Sequence, residues 1–491
     1  MTSNPLTRPD VRERVQTMLD EAQDGLVMSS AYSTAWAARV RSGQSPMFGE
    51  AVDWLRDNQW PDGSWGGRIG NPYDRTVCTL AAVVALAELP GNEEIVAQGC
   101  EYLRRHGEDW RGREAKTLAF DLVVPALADE GRALGLEIPP FDGLSAVRDG
   151  KLRMFPRELI ANQPTTLLYS LEAVLPVFDA DWKRFVSCDG SMAGSPSASA
   201  GAFLATGDPG FEKYLRSVRN PDGGFPEFHP LDVFSQAWTV HNFQRAGLLG
   251  GDGHAAVLRR LENLLRAGET VGFSTYFPLA DPDSTAMCLN VLLDEGRDVS
   301  DLLDLLSEFE GDDCFLTYPF ERQASVTPNA RVLQALHHRG EQYRPQVGKA
   351  VDYLISQRNE DAWWRDKWHL STYYATANTI FGLSRISDSR TTWPATGQWL
   401  IDTQHADGSW GTGGGNAEET AYAVLGLDAL AAHVSVPARV WRDAEAYLAA
   451  HLDDTGHPEL WIGKGLYTPI NVVRSAVTAG HARAAELTSP Q

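Results

Sequence analysis

The chain has 491 residues, of which 43% are hydrophobic and 10% aromatic, with 15 tryptophans; this composition is typical of a globular chain and excludes a disordered one. The formal net charge is -22, and because such a surface repels phosphate backbones, it excludes nucleic acid as a partner. The polar N-terminal stretch does not resemble a signal peptide and no apolar run reaches about 18 residues, so we expect no stable membrane insertion.

Helical periodicity dominates both halves of the chain. Apolar residues recur at helical spacing in TVCTLAAVVALAEL (76–89), HAAVLRRLENLLRA (254–267), NARVLQALHH (329–338) and TAYAVLGLDALAAH (420–433). Clusters of Gly, Pro, Asp and Asn separate these segments, and alternation of the β-strand type is weak throughout. The sequence therefore predicts an all-α fold.

A repeated Gln–Trp motif predicts how these helices are arranged. Gln precedes Trp by six residues in QWPDGSWGG (59–67), QRNEDAWW (357–364) and QHADGSWGT (404–412), and RNPDGGF (219–225) is a degenerate copy. Since Asp-Gly favours a turn, each motif predicts a helix–turn–helix unit that must stack on its neighbours to bury its apolar face. Two groups of such units predict two α/α barrels with a boundary near residues 208–230, in which the Gln and Trp side chains tie helix ends together.

Two carboxylates precede an apolar helix in the stretch FPLADPDSTAMCLNVLL (277–293). Asp281 and Asp283 flank a proline, and Ser284 follows them. Two neighbouring carboxylates do not both ionise easily, so one of them keeps its proton and is available as a general acid. Since no basic residue stands beside the pair in the sequence, we expect no salt bridge that would hold the acid ionised. The simpler interpretation is a helix N-cap, where Asp and Ser are favoured, and both interpretations are compatible.

The motifs resemble those of the class II terpene cyclases, the superfamily of squalene–hopene cyclases and copalyl-type diterpene cyclases. Besides the Asp-x-Asp motif, counterparts occur in the same order along most of the chain: SAYSTAWAARV, QWPDGSWGG, AFDLVVPAL, KLRMFPRELIANQPTTLLYSLEAV, SPSASA, FHPLDVFSQAW, WRDKWH, AEETAYAVLGL and WIGKGLYTP. The resemblance is greatest to bacterial two-domain enzymes of halimadienyl, clerodienyl or copalyl diphosphate synthase type. It implies a β domain formed by residues 1–45 and 220–491, an inserted γ domain of residues 46–219, and an active cavity between the two barrels.

The resemblance also implies roles for residues around the Asp-x-Asp motif. In the family the motif is Asp-x-Asp-Asp and its middle aspartate is the general acid, which implies Asp283 as the acid and Asp281 as the residue that tunes it. Ser284 replaces the last aspartate, a departure that leaves the acid in place. A polar partner of the acid is expected in SVTPNARVLQAL, where Asn329 is preferred and Arg331 is the alternative.

A substrate diphosphate requires cations against the negative charge of the chain. The resemblance implies that Lys151 contacts the diphosphate, with Arg153 close by, and Lys367 and Lys464 are further candidates. The resemblance also implies Mg2+, which would neutralise the diphosphate, but it assigns no ligands to the ion.

Two substitutions bear on the product. In ent-copalyl diphosphate synthases, a His and an Asn hold the water that removes the final proton, and Tyr169 and Glu227 occupy these two positions here. We therefore expect that the cation is not quenched in the ent-copalyl manner and undergoes hydride and methyl shifts before deprotonation.

The expected function is protonation-initiated cyclisation of geranylgeranyl diphosphate to a bicyclic diphosphate of labdane, halimane or clerodane type. The class I ionisation motif Asp-Asp-x-x-Asp is missing, so the product should retain the diphosphate. The alternative substrate is farnesyl diphosphate, which would give a drimane diphosphate. A non-catalytic α/α-barrel binding protein is the alternative from another class, and the intact pair of aspartates argues against it. The five cysteines form no Cys-x-x-Cys pair, which favours reduced thiols and a cytoplasmic location.

Overall fold

The N-terminal half of the chain forms a closed ring of helices. The structure is a computed structural model that describes residues 9–154, 158, 162–175, 182–250, 253–319, 324–386 and 393–488. Among them, five helices contact one another in sequence and the last contacts the first: Ala31–Ala38, Pro72–Ala87, Phe120–Ala133, Leu171–Val174 and Pro196–Thr206. Helices packed on the outside of this ring are Gly49–Asp57, Glu93–His106, Leu144–Met154 and Pro209–Val218.

The C-terminal half forms a second closed ring. Its inner helices in the described chain are Asp232–Arg245, Pro282–Asp294, Val326–His337, Thr372–Leu383, Ala417–Ala429 and Ile470–Thr488. Its outer helices are Pro9–Glu21, Ala255–Arg266, Arg344–Ser356, Pro394–Asp402 and Ala438–Ala450, together with the 3-10 segment Ser300–Phe309. Shorter 3-10 segments are Ala22–Asp24, Thr166–Ser170 and Trp182–Phe185. The predicted all-α fold of two α/α barrels is confirmed.

Of the three short antiparallel strand pairs in the described residues, one connects parts of the chain that are distant in sequence and two are local hairpins. Ser29–Ser30 pairs with Phe225–Pro226 in the register Ser29 to Pro226, and Trp461–Ile462 pairs with Leu466–Tyr467 in the register Trp461 to Tyr467. A third pair joins Arg41–Ser42 to Ser45–Pro46. The loop between Ile462 and Leu466 lies against the N-terminal barrel, where the Leu118 N–H donates to the Gly463 carbonyl at 2.8 Å. This hairpin therefore joins the two barrels.

The Gln–Trp motifs fix helix ends, as their spacing predicts. The indole N–H groups of Trp65, Trp364 and Trp410 each donate, at 2.7 Å, to a carbonyl ten residues earlier. In the motif QRNEDAWW the residue that makes this bond is Trp364. The prediction from the six-residue spacing, Trp363, was therefore one residue too early. The turn glycine Gly408 has φ of 89°, and a side chain there would collide with the Asp443 carbonyl at 2.2 Å. The motifs thus tie helix ends together within the scaffold.

The predicted domain boundaries stay a prediction, with one detail added by the contacts. Helix Ala31–Ala38, which carries most of the SAYSTAW motif, contacts helices Gly49–Asp57, Pro72–Ala87 and Pro196–Thr206 of the N-terminal barrel. Helix Pro9–Glu21 instead packs on the C-terminal barrel, against Asp232–Arg245 and Ile470–Thr488. The N-terminal segment is therefore shared between the two barrels.

Candidate active site

A cavity of about 280 Å³ lies between the two barrels, close to the lower end of the range of roughly 300–1,000 Å³ that is usual for ligand pockets. Its N-terminal wall includes Leu118, Leu122 and Lys151. Its C-terminal wall is aromatic and includes Phe228, Phe234, Phe273, Phe277, Trp368 and Trp461. Such a surface excludes water and presents π faces that attract a cation.

Asp281 lines this cavity and caps the helix Pro282–Asp294. One of its carboxylate oxygens accepts from the Ser284 N–H at 2.6 Å, and the other accepts from the Ser284 hydroxyl at 3.1 Å. The N-cap interpretation of the sequence is therefore correct, and it is compatible with a place in the cavity wall. Burial and, second to it, the neighbouring charge of Asp283 raise the pKa of Asp281 to about 7.

Asp283 lies two residues further along the chain, in the first turn of the same helix, and lines the same cavity; its side chain is 16% exposed. Contrary to the expectation from the sequence, it has a basic partner: the Arg331 guanidinium donates to its carboxylate. Burial raises the pKa of Asp283 to about 6, although the positive charge of Arg331 opposes this shift, while Asp366 adds to it. The raised pKa therefore allows the carboxyl group to hold a proton, and Arg331 stabilises the anion that remains once the proton is lost.

Arg331 is held in place from several sides. Its second terminal nitrogen donates to the Tyr374 hydroxyl at 2.6 Å and to the Asn378 amide oxygen at 3.0 Å. The guanidinium carbon also lies 4.5 Å from the ring centre of Trp238, a cation–π distance. These contacts fix the guanidinium beneath Asp283, so that the charge cannot turn away from the carboxylate.

The preferred candidate for the partner of the acid, Asn329, has a different position. Its amide oxygen accepts from the Phe315 N–H at 2.8 Å, and its amide nitrogen donates to the carbonyls of Phe315 and Ser325, each at 2.9 Å. Asn329 therefore joins a loop to its helix, and the alternative candidate, Arg331, contacts Asp283. The signal for this was present in the sequence: Arg331 is a charged residue within an otherwise apolar helical pattern, with no acid on its own helix to pair with.

Two of the four predicted diphosphate contacts line the cavity. Lys151 lies on the N-terminal wall and donates to Asp121 at 2.8 Å, an aspartate that Lys116 also contacts. Lys367 lies on the C-terminal wall. Arg153 is exposed and does not line the cavity, because residues two apart on a helix point in different directions. Part of its motif, residues 155–157 and 159–161, lies outside the described residues.

Lys464 does not face the cavity, contrary to the prediction from its basic motif. Its side chain is fully buried and forms an ion pair with Glu172 at 2.6 Å. The ammonium group also contacts the Tyr169 carbonyl and the hydroxyls of Ser195 and Ser197, at 2.5 to 3.0 Å. With all of its protons engaged, this lysine connects the two barrels and is not available to a diphosphate.

Tyr169 and Glu227 form a hydrogen-bonded pair. The Tyr169 ring lines the cavity, and its hydroxyl donates to Glu227 at 2.5 Å. Glu227 is fully buried behind it and also accepts from the Lys464 N–H at 2.7 Å and from the hydroxyls of Ser30 and Ser33. Of the two residues, only the tyrosine is therefore positioned to contact a substrate.

The described residues do not form a dedicated metal site. No group of three or more His, Cys, Asp or Glu side chains among them could hold an ion. Asp121, the carboxylate that Lys151 contacts, already has both oxygens engaged by lysines. None of the described helices has the length and apolar character of a membrane span.

Comparisons with known proteins agree with this fold and site. Residues 321–436 match the model of the squalene-hopene cyclase C-terminal domain. The chain is 32% identical to the type B diterpene cyclase of Mycobacterium tuberculosis, over 95% of this chain and 97% of that protein. It is 33% identical to the labda-7,13-dienyl diphosphate synthase of Streptomyces clavuligerus, over 92% and 88% of the two chains. The ent-copalyl diphosphate synthase structure from Streptomyces platensis superimposes with a TM-score of 0.80 at 28% identity, covering 97% of this chain and 100% of that one.

An aromatic cavity with an acid pair, enclosed between two α/α barrels, defines an enzyme that cyclises polyenes. Together with the full-length similarity, it shows that this chain belongs to the class II terpene cyclases, and within them to the diterpene cyclases.

Proposed function

We propose that the protein cyclises geranylgeranyl diphosphate to a bicyclic diphosphate by protonating its terminal double bond. The observation that carries the proposal is the position of Asp283, a buried acid in the wall of an aromatic cavity with Asp281 beside it and Arg331 beneath it. The names of the two bacterial relatives indicate twenty-carbon substrates, which favours geranylgeranyl over farnesyl diphosphate.

The residues divide the first step between them. Asp283 transfers its proton to a terminal alkene carbon, a C–H bond forms, and a tertiary cation remains on the neighbouring carbon. Arg331 stabilises the carboxylate that is left, while the charge of Asp281 hinders simultaneous ionisation of the pair. Attack by the internal double bonds then closes two rings, and loss of a proton from carbon ends the reaction. The aromatic wall stabilises the cations and excludes the water that would quench them.

The diphosphate takes no part in these bond changes and remains in the product. We propose that it binds between Lys151 and Lys367, which approach the cavity from different barrels. In this proposal Mg2+ accompanies the substrate as a counter-ion held mainly by diphosphate oxygens and water, as is usual for this ion. The cytoplasmic location also remains a proposal that rests on cysteine usage.

The product skeleton depends on how long the cation survives. Tyr169 and Glu227 stand where ent-copalyl diphosphate synthases carry a His and an Asn, and here the glutamate is enclosed behind the tyrosine ring. We propose that the cation undergoes hydride and methyl shifts before it loses its proton, giving a halimane or clerodane skeleton.

The test is incubation of the purified protein with geranylgeranyl diphosphate and, separately, farnesyl diphosphate, each with Mg2+ or with a chelator. After enzymatic removal of the diphosphate, mass spectrometry and NMR identify the alcohol. We expect a bicyclic, rearranged diterpene alcohol in the arm with geranylgeranyl diphosphate and Mg2+. Unrearranged ent-copalol would contradict the proposed shifts, and turnover of farnesyl diphosphate alone would contradict the proposed substrate.

The acid is tested by Asp283→Asn, which keeps the shape of the side chain but removes its acidic proton. We expect turnover to fall by at least about 10³-fold with an unchanged unfolding temperature, since general acids contribute roughly 10²–10⁴-fold. Asp313→Asn is the matched control, because Asp313 is exposed and distant from the cavity lining. Full activity of Asp283→Asn would contradict the assignment.

A further inference from the structure

Trp461 lines the cavity and contacts three aromatic rings and one carboxylate. It lies in the strand Trp461–Ile462, and its ring meets Phe234, His369 and Tyr374 edge-on, with centroids 5.1, 4.6 and 5.0 Å away. Its indole N–H donates to the Glu418 carboxylate at 3.0 Å. The proposed reaction does not use this glutamate.

Glu418 accepts a second hydrogen bond from His369. The Ser371 N–H donates to Nδ1 of His369 at 3.0 Å, so in the neutral ring the proton is on Nε2. Nε2 lies 3.2 Å from the same Glu418 oxygen that accepts from Trp461. Both side chains are fully buried. The other Glu418 oxygen is buried and has no hydrogen-bond partner among the described residues.

Glu418 lies in the first turn of the helix Ala417–Ala429, whose N-cap is Asn416, next to the partial positive charge of the helix N-terminus. Within the described ranges no lysine or arginine forms an ion pair with Glu418. The carboxylate therefore lacks a permanent countercharge at hydrogen-bond distance.

We propose that Glu418 is a positioning residue that acts through Trp461 to stabilise the carbocation in the cavity. A hydrogen bond from an indole N–H to a buried carboxylate draws the proton away from the ring and leaves the π system richer in electrons. The buried charge acts through a medium of low dielectric constant, where its attraction for a cation is strong. The glutamate thus lies at the edge of the indole ring whose π face would contact the cation, and the countercharge is present before the cation forms.

This inference rests on the proposed function, because it requires a cation in the cavity. A purely structural role for Glu418, which joins Trp461 to His369, is the competing explanation. Glu418→Gln separates the two, since the amide oxygen still accepts hydrogen bonds but the charge is gone. Glu419→Gln is the matched control: Glu419 is the next residue, is equally buried, and bonds to Asn416 and the Thr412 N–H without contact to the cavity.

The experiment uses two inhibitors of the full-length enzyme. One is a geranylgeranyl diphosphate analogue in which a protonated amine replaces a cationic carbon, and the other is its neutral carbon isostere. The dissociation constant of the neutral isostere divided by that of the cationic analogue measures how much the cavity prefers a cation. We expect Glu418→Gln to lower this ratio, and also kcat, about tenfold, with KM unchanged, while Glu419→Gln keeps the ratio.

A double-mutant cycle locates the effect. Because Glu418 acts through the indole N–H, Glu418→Gln should change the ratio little in a Trp461→Phe background. An unchanged ratio in Glu418→Gln, or an equal change with and without the indole, would overturn the inference. Failure of the wild type to cyclise geranylgeranyl diphosphate would instead overturn the proposed function, and the binding measurement, which needs no turnover, would still decide the role of Glu418.

Discussion

Two pairs of buried carboxylates lie within this molecule, and they have opposite surroundings. Glu172 pairs with the ammonium group of Lys464, and Glu227 accepts from the backbone N–H of the same lysine. Both glutamates also accept hydrogen bonds from tyrosine hydroxyls, and Glu227 accepts from a serine hydroxyl as well. Asp281 and Asp283 have fewer donors: Asp281 is bonded only to Ser284, and Asp283 is bonded to Arg331, among the described residues.

The difference shows what makes a buried carboxyl group an acid. Donors and cations around a carboxylate stabilise its charge. Burial with few donors does the opposite, and it raises the pKa of Asp281 to about 7 and that of Asp283 to about 6. The glutamates thus connect the two barrels, whereas the aspartates can hold a proton and donate it.

The largest effect is expected where the structural pair loses its cation. Lys464→Met should lower the free energy of unfolding by about 3–5 kcal/mol, because it leaves the buried Glu172 without its countercharge. Denaturant titration followed by circular dichroism measures the loss. The same variant should keep its KM for geranylgeranyl diphosphate, since Lys464 does not line the cavity.

Two results would count against this interpretation of Lys464. A second substitution, Glu172→Gln, should restore part of the stability of Lys464→Met; no recovery would show that buried charge is not the cause. A KM raised tenfold with stability intact would show instead that the lysine binds the diphosphate.

A smaller effect is expected where the acid loses its arginine. Arg331→Met removes the charge that stabilises the Asp283 carboxylate as the proton leaves, so kcat should fall about 10²-fold. The loss of the guanidinium should also raise the pKa of Asp283 further, which moves the upper limb of the pH profile to higher pH. Steady-state kinetics across pH measures both changes.

Arg331→Lys is the control for this prediction, because it keeps the charge but loses the planar contacts to Tyr374 and Asn378. It should retain more activity than Arg331→Met and a pH profile closer to that of the wild type. Equal kcat and equal profiles in the two variants would show that the arginine supports the helix packing and does not tune the acid.

The sequence predicted the residues of the site better than their partners. Asp281, Asp283, Lys151, Tyr169 and Lys367 all line the cavity, because each belongs to a local motif whose position on an element follows from its neighbours. Their chemical roles stay predictions. The all-α fold was predictable for the same reason, since helical periodicity and the Gln–Trp turns are local signals.

Contacts between distant elements were not predictable in this way. Arg331 meets Asp283, 48 positions earlier in the chain, because two inner helices pack side by side; the charged residue in an apolar helix indicates a buried partner but not which one. Lys464 and Lys367 both follow an aromatic-rich stretch and look alike in the sequence. What separates them is the hairpin Trp461–Tyr467, which folds between the barrels and buries Lys464 among their polar side chains.

The smallest expected effect is that of pH on the wild type, and it tests the contrast between the two carboxylate pairs directly. Asp283 must be protonated to act, and its pKa of about 6 lies well above that of an exposed aspartate. The sign follows: kcat/KM for geranylgeranyl diphosphate should hold below about pH 6 and fall by up to about tenfold per pH unit above it. Measurement from about pH 5 to pH 9, with circular dichroism at each pH to confirm folding, decides the point. If the Arg331 guanidinium instead held Asp283 ionised throughout, kcat/KM would already be falling at the acidic end of this range.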